Sequence, residues 1–147
     1  MHHAEAHADE APAASKVMVH PFVPQGDPEL IDSRAGLDNF MAHVRAEGSF
    51  AYDTEFIGEE TFIPNICLLQ LATRTRIALI DPFAFDAEAL EQVWNAVCDP
   101  TLTTIVHAGG QDIEAAQRRT NRQALNVIDT QIAAGFLGMP WPTSLVN

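Results

Sequence analysis

The sequence predicts an α/β domain built on a mixed sheet, in which an antiparallel three-stranded meander leads into parallel βαβ units flanked by helices. Three observations point there. Three apolar runs, starting near Phe50, Ile66 and Arg76, follow one another with only polar breaks between them. Segments with apolar residues at helical spacing stand before and after that group. Beyond it, short strand-like runs alternate with helical ones, the order that right-handed crossovers produce.

The elements follow in chain order. Residues 1–27 hold Ala, Pro, His and acids without periodicity and predict a disordered tail, in which His2, His3 and His7 are solvated. Within it, Val17 to Val23 could add an edge strand, against which Pro21 and Pro24 weigh. Ser33 caps a helix whose Leu37, Phe40, Met41 and Val44 share one face, and Gly48 ends it. A strand through Phe50–Phe56 comes next, then a loop over Gly58 to Asn65 broken by Pro64. Ile66 to Ala72 and Arg76 to Ile80 are strands joined by a turn at Thr73-Arg74-Thr75. Asp86 caps a second helix running to about Cys98, with Leu90, Val93, Trp94 and Val97 on its apolar face. Thr103 to His107 is a strand, Gly109-Gly110 a sharp turn, and Gln111 to about Arg119 a helix. Val127-Ile128 is a brief strand, and Asp129 caps a helix from Thr130 to Leu137 that Gly138 and Pro140 stop. Pro142-Thr143-Ser144-Leu145 predicts the first turn of one more helix, so the sequence reads as incomplete at its C-terminus.

Composition narrows the function. The 147 residues suffice for one domain with a core, and 47% hydrophobic with 19% charged residues is ordinary globular usage. No run approaches the ~18 apolar residues of a membrane span, and Met1-His2-His3-Ala4 lacks the basic-then-apolar order of a secretion leader. Cys67 and Cys98 lie in apolar surroundings and predict buried free thiols in a cytoplasmic protein. The formal net charge of −12 argues against a nonspecific polyanion binder. It leaves open a site where metal ions recruit phosphate.

Phe50-Ala51-Tyr52-Asp53-Thr54-Glu55-Phe56 places two carboxylates one residue apart in an apolar and aromatic run. On a strand Asp53 and Glu55 point the same way, roughly 7 Å apart along the backbone, while Tyr52, Thr54 and Phe56 point the other way. Two acids on one strand face need a cation or the solvated mouth of a cleft. A polar strand end in water accounts for them equally. Asp112, in the first turn after Gly109-Gly110, stands where a strand end meets a switch in sheet direction and can face the same strand. An acid there also suits the helix dipole without any function. Three carboxylates together repel unless a divalent cation neutralises them, and hard oxygen ligands suit Mg²⁺ or Mn²⁺.

Tyr52-Asp53-Thr54-Glu55-Phe56 resembles the first exonuclease motif of the DEDD 3′–5′ exonucleases, and His107 through Asp112 and Glu114 resembles the second. Phe62-Ile63-Pro64, Leu68-Leu69-Gln70-Leu71, Ala78-Leu79-Ile80-Asp81-Pro82 and Ile128-Asp129-Thr130-Gln131 resemble the ribonuclease D group in order and spacing, from about residue 30 to the end. The resemblance implies a ribonuclease H-like fold in residues 28–147. It implies removal of single nucleotides from RNA 3′ ends, including tRNA precursors. It makes Asp53, Glu55 and Asp112 ligands of two Mg²⁺ or Mn²⁺ ions, with Asp53 bridging. It places Glu55 and the Thr54 backbone by the terminal 3′ hydroxyl, and Phe56 and His107 beside the terminal nucleotide. Core packing for Phe56 and a hydrogen-bonded strand end for His107 are the structural alternatives. Asp129 reads as a helix cap and Gln70 as structural. The family's third motif, with a fourth aspartate and a water-positioning Tyr or His, matches nothing here, nor does the group's C-terminal helical RNA-binding domain. An impaired enzyme is therefore expected of these residues alone. A catalytically inactive nucleic-acid- or nucleotide-binding module and a DNA-directed exonuclease are the alternatives.

Overall fold

The computed structural model describes residues 23–57 and 65–145. Most of the expected N-terminal tail, all but the end of its Val17 to Val23 patch, and nearly all of the Gly58 to Asn65 loop lie outside those residues. Six strands form one sheet in the order β1-β4-β3-β2-β5-β6. β1 is Glu29–Ile31, α1 Arg34–Glu47, β2 Ser49–Ile57, β3 Asn65–Ala72 and β4 Ile77–Ile80. α2 is Ala87–Val97, β5 Thr103–Val106, α3 Gly110–Thr120, β6 Val127–Asp129 and α4 Thr130–Phe136. β2, β3 and β4 pair antiparallel, and β5 and β6 extend the sheet parallel to β2. The mixed α/β architecture expected from the sequence is the one observed.

Two expectations are corrected. β1 was not anticipated. It pairs parallel with β4 at the sheet edge, where Arg76 holds Glu29 at 2.6 Å. Three residues of which only Ile31 is buried carry no readable period. The helical turn expected at Pro142 to Leu145 does not form: bends and a turn stand there instead. A single turn fixes about six dihedrals for one hydrogen bond and does not persist alone.

The helices begin and end for local reasons. The Ser33 hydroxyl accepts the Gly36 N–H, and Gly48 closes α1 at φ 74°, in the left-handed region that costs glycine nothing. Asp86 accepts the Ala89 N–H at 2.7 Å to start α2. At the β3–β4 turn the Thr73 hydroxyl accepts the N–H groups of Thr75 and Arg76, while its backbone N–H donates to the Arg76 carbonyl at 2.9 Å.

Strand alternation gives the sheet two unlike faces. Phe50, Tyr52 and Thr54 of β2 are buried with Leu69 and Leu71 of β3 in a core that α1, α2 and α3 cover. Ala51, Asp53 and Glu55 stand on the opposite, exposed face. Among the described residues no helix is long and apolar enough to cross a membrane.

Candidate active site

β2 carries the acids because its alternation is strict up to Glu55. A bulge against β3 falls between Glu55 and Phe56, so the regular pleat ends where the acidic pair ends. Asp53 and Glu55 share the exposed face as expected. Phe56 is partly buried and packs against the core.

Asp112 reaches the same strand from the other side. It is buried, in the first turn of α3, and its Oδ1 accepts the Thr54 backbone N–H at 3.1 Å and also the Thr54 hydroxyl. The third acid is therefore fastened to the residue between the other two. The charges sense one another. Burial pushes the Asp53 carboxyl above its ordinary value, and the Asp112 and Glu55 charges push it further, against a lowering bond from the Thr54 backbone.

The turn that delivers Asp112 is tightly determined. Ala108 takes φ 54°, and a Cβ on Gly109 would lie 2.4 Å from the Val106 Cβ. The glycine is needed for close approach, and the left-handed residue is its neighbour. Asp129 pins the same turn from β6: its carboxylate accepts Ala108 N–H at 3.0 Å and Gly109 N–H at 3.3 Å. The same carboxylate caps α4 through Gln131 and Ile132. Sequence reasoning found the cap and missed the tie. Burial alone would raise the Asp129 carboxyl, but these four backbone N–H groups hold it below its ordinary value.

His107 directly follows β5, with both ring nitrogens engaged. Nε2 donates to the Thr143 carbonyl at 2.8 Å, and Nδ1 lies 2.9 Å from the Thr130 hydroxyl. Contact with a ligand is thus left to its ring face. A cavity of about 290 Å³ opens on the exposed sheet face beside Asp53, lined by Ala51, Gln70, Ile105 and His107 and flanked by Thr130 and Leu145. Gln70 lies opposite Asp53 in register. Its Nε2 donates to Asp53 Oδ2 at 3.1 Å and approaches Glu55 Oε1 at 3.4 Å.

The donor set is all carboxylate, without a thiolate or imidazole among the three acids, and this suits a hard divalent cation. Burial first, and then the Asp112 and Glu55 charges, raise Asp53, and a cation would offset the repulsive part. Among the described residues no three acid, His or Cys side chains yet converge as a formed metal cage. Asp112 is turned toward Thr54.

Comparisons with known proteins show which family the chain resembles. A family model described as 3′–5′ exonuclease matches residues 28–146. Ribonuclease D of Musicola paradisiaca is 34% identical over 116 residues, which cover 76% of this chain and 29% of that protein. Ribonuclease D of Escherichia coli K12 is 34% identical over 113 residues, again 76% of this chain and 29% of that protein. The crystal structure of the Escherichia coli enzyme, described as an exoribonuclease involved in structured RNA processing, superposes with a TM-score of 0.69 at 32% identity, over 82% of this chain and 32% of that one. The catalytic core of RRP6 from Trypanosoma brucei, at 21% identity and a TM-score of 0.68 over 89% of this chain and 37% of that one, shares the fold. The chain spans 29% of the length of these curated relatives.

Proposed function

The chain belongs to the family of ribonuclease D-like 3′–5′ exonucleases, and on that premise we propose that residues 28–147 form the larger part of a site that removes nucleotides one at a time from RNA 3′ ends, tRNA precursors among them. One observation carries the reading. Asp53 and Glu55 share the open face of β2, and Asp112 is hydrogen-bonded to Thr54 between them.

In this reading Asp53, Glu55 and Asp112 would hold the divalent cations, Mg²⁺ or Mn²⁺. Cations bound there would supply Lewis acidity and neutralise charge on the scissile phosphate. The chain's own residues do the rest. Glu55 helps to hold the terminal 3′ hydroxyl, and the Thr54 backbone sits beside it. Phe56, fixed by the core on one side, and the ring face of His107 border the terminal nucleotide. His107 keeps its orientation because Thr130 and Thr143 occupy its nitrogens. The Asp129 tie keeps the turn before Asp112 from drifting, and displacements of ~1 Å in such sites cost roughly 10²-fold in rate. Both cysteines are free thiols, Cys98 buried as expected but Cys67 only half-buried, and free thiols are in keeping with action in the cytoplasm.

The test is hydrolysis of 5′-labelled single-stranded RNA by the protein carrying the segment that follows residue 147 in its relatives. The expected result is a ladder shortening by single nucleotides from the 3′ end, dependent on Mg²⁺ or Mn²⁺ and lost in Asp53→Ala. Absence of trimming, or equal trimming by Asp53→Ala, overturns the proposal. The former leaves a silent nucleic-acid-binding module. A DNA oligonucleotide run in parallel reports sugar preference.

A further inference from the structure

Gln70 was expected to be a plain strand residue, yet among the described residues it is the neutral side chain that reaches both open-face acids. Its register opposite Asp53 puts it on the same face. Its carboxamide nitrogen lies 3.1 Å from Asp53 Oδ2 and 3.4 Å from Glu55 Oε1. A carboxamide carries two N–H hydrogens, so both contacts can be made at once. The reverse orientation would set the carbonyl oxygen against two carboxylates, which leaves this orientation as the only favourable one.

We propose that Gln70 is a positioning residue that ties Asp53 and Glu55 together through its carboxamide and so presets the pair for a divalent cation. The inference rests on the reading of Asp53 and Glu55 as cation ligands. Like charges two residues apart on one strand face favour rotamers that splay them. An amide donor bridging them opposes that motion without cancelling their charge. A Lys or Arg at the same place would hold them equally well and compete with the cation. The described ion pairs, Arg34–Asp38, Arg76–Glu29 and Arg118–Glu114, lie elsewhere. Gln70 acts through the two acids and does not itself ligate.

The experiment is Mn²⁺ titration of the 147-residue chain by calorimetry, for wild type, Asp53→Ala and Gln70→Leu. Removing a partner that orients a metal ligand typically weakens affinity by roughly 10–100-fold, and Gln70→Leu is expected to fall in that range. Asp53→Ala should bind no Mn²⁺ at this site. Wild-type affinity in Gln70→Leu overturns the role of Gln70 while leaving the acids' role standing. No binding by wild type, or unchanged binding in Asp53→Ala, overturns the reading of the site and the inference with it. Should Gln70→Leu fail to fold, the side-chain N–H₂ resonances of Gln70 decide the matter. Shifts in those resonances in both Asp53→Asn and Glu55→Gln support the bridge, and resonances indifferent to either substitution overturn it.

Discussion

Thr54 and Asp112 are joined twice, through the Thr54 backbone N–H at 3.1 Å and through its hydroxyl, both to the same carboxylate oxygen. Thr54 is buried, 6% exposed, so both donors lose their acceptor if the carboxylate goes. Asp112→Ala is expected to cost about 1–3 kcal/mol of stability, the penalty for stranded buried donors. Asp112→Asn keeps an oxygen that accepts both and should cost less than about 1 kcal/mol. Mn²⁺ binding should weaken in both. Urea denaturation beside metal titration separates the two roles. Equal stability of the two variants would mean that the Thr54 bonds contribute nothing.

The two glycines before Asp112 should respond oppositely to alanine. A Cβ on Gly109 meets three Val106 atoms within 2.9 Å, whereas one on Gly110 meets nothing within 4 Å. Gly109→Ala is expected to destabilise by about 1–3 kcal/mol through overpacking. Gly110→Ala, at the first residue of α3 with open space around it, should be neutral or stabilising by up to about 1 kcal/mol. Thermal melts of the two single variants test the contrast.

Most of this fold was legible because its signals are local. Helix faces such as Leu37, Phe40, Met41 and Val44, caps at Ser33, Asp86 and Asp129, and the alternation in β2 need only neighbours in sequence. The pairing of Asp53 with Gln70 was not legible. It depends on the register across the β2–β3 connection, and the bulge at Glu55/Phe56 shifts that register by one. The Asp129 tie spans 21 residues to Ala108 and 20 to Gly109 and needs β6 laid beside β5. β1 is defined by a partner 49 residues on, Glu29 against Ala78. Contacts of this range follow from topology, which pattern alone does not number.

Tyr52 carries the one buried side-chain polar atom left without a hydrogen-bond partner among the described residues, its hydroxyl. Burial and then the nearby Asp112 charge push its ionisation well above the ordinary range, so the group stays a neutral, unpaired O–H. Tyr52→Phe removes that oxygen and keeps the ring packing. It is expected to raise stability by roughly 1 kcal/mol, since an unmet buried hydroxyl is a cost that the variant does not bear. Guanidinium unfolding midpoints check this. A loss of stability would reveal a partner that the hydroxyl holds in solution, such as a buried water.

Asp129 sets a pH signature for the turn that delivers Asp112. Its carboxyl is held below the ordinary value because backbone N–H bonds from Ala108, Gln131, Ile132 and Gly109 together outweigh burial. A depressed carboxyl contributes stability in full above its unfolded pKa, about 3.9, and loses it as pH falls through the lower folded value. Asp129→Ala should therefore cost about 1–2 kcal/mol, in the range of lost helix caps, by the same amount at pH 7 and pH 5. The gap between variant and wild type should close as pH drops below about 4. Asp129→Asn keeps an acceptor without the charge, so it should fall between the two at neutral pH, and its smaller gap to wild type should close over the same pH range. Urea titrations at pH 7, 5 and 3 read all three. A gap that widens on acidification would mean that the Asp129 carboxyl is raised by its surroundings, and the four N–H bonds would then not be what holds the turn.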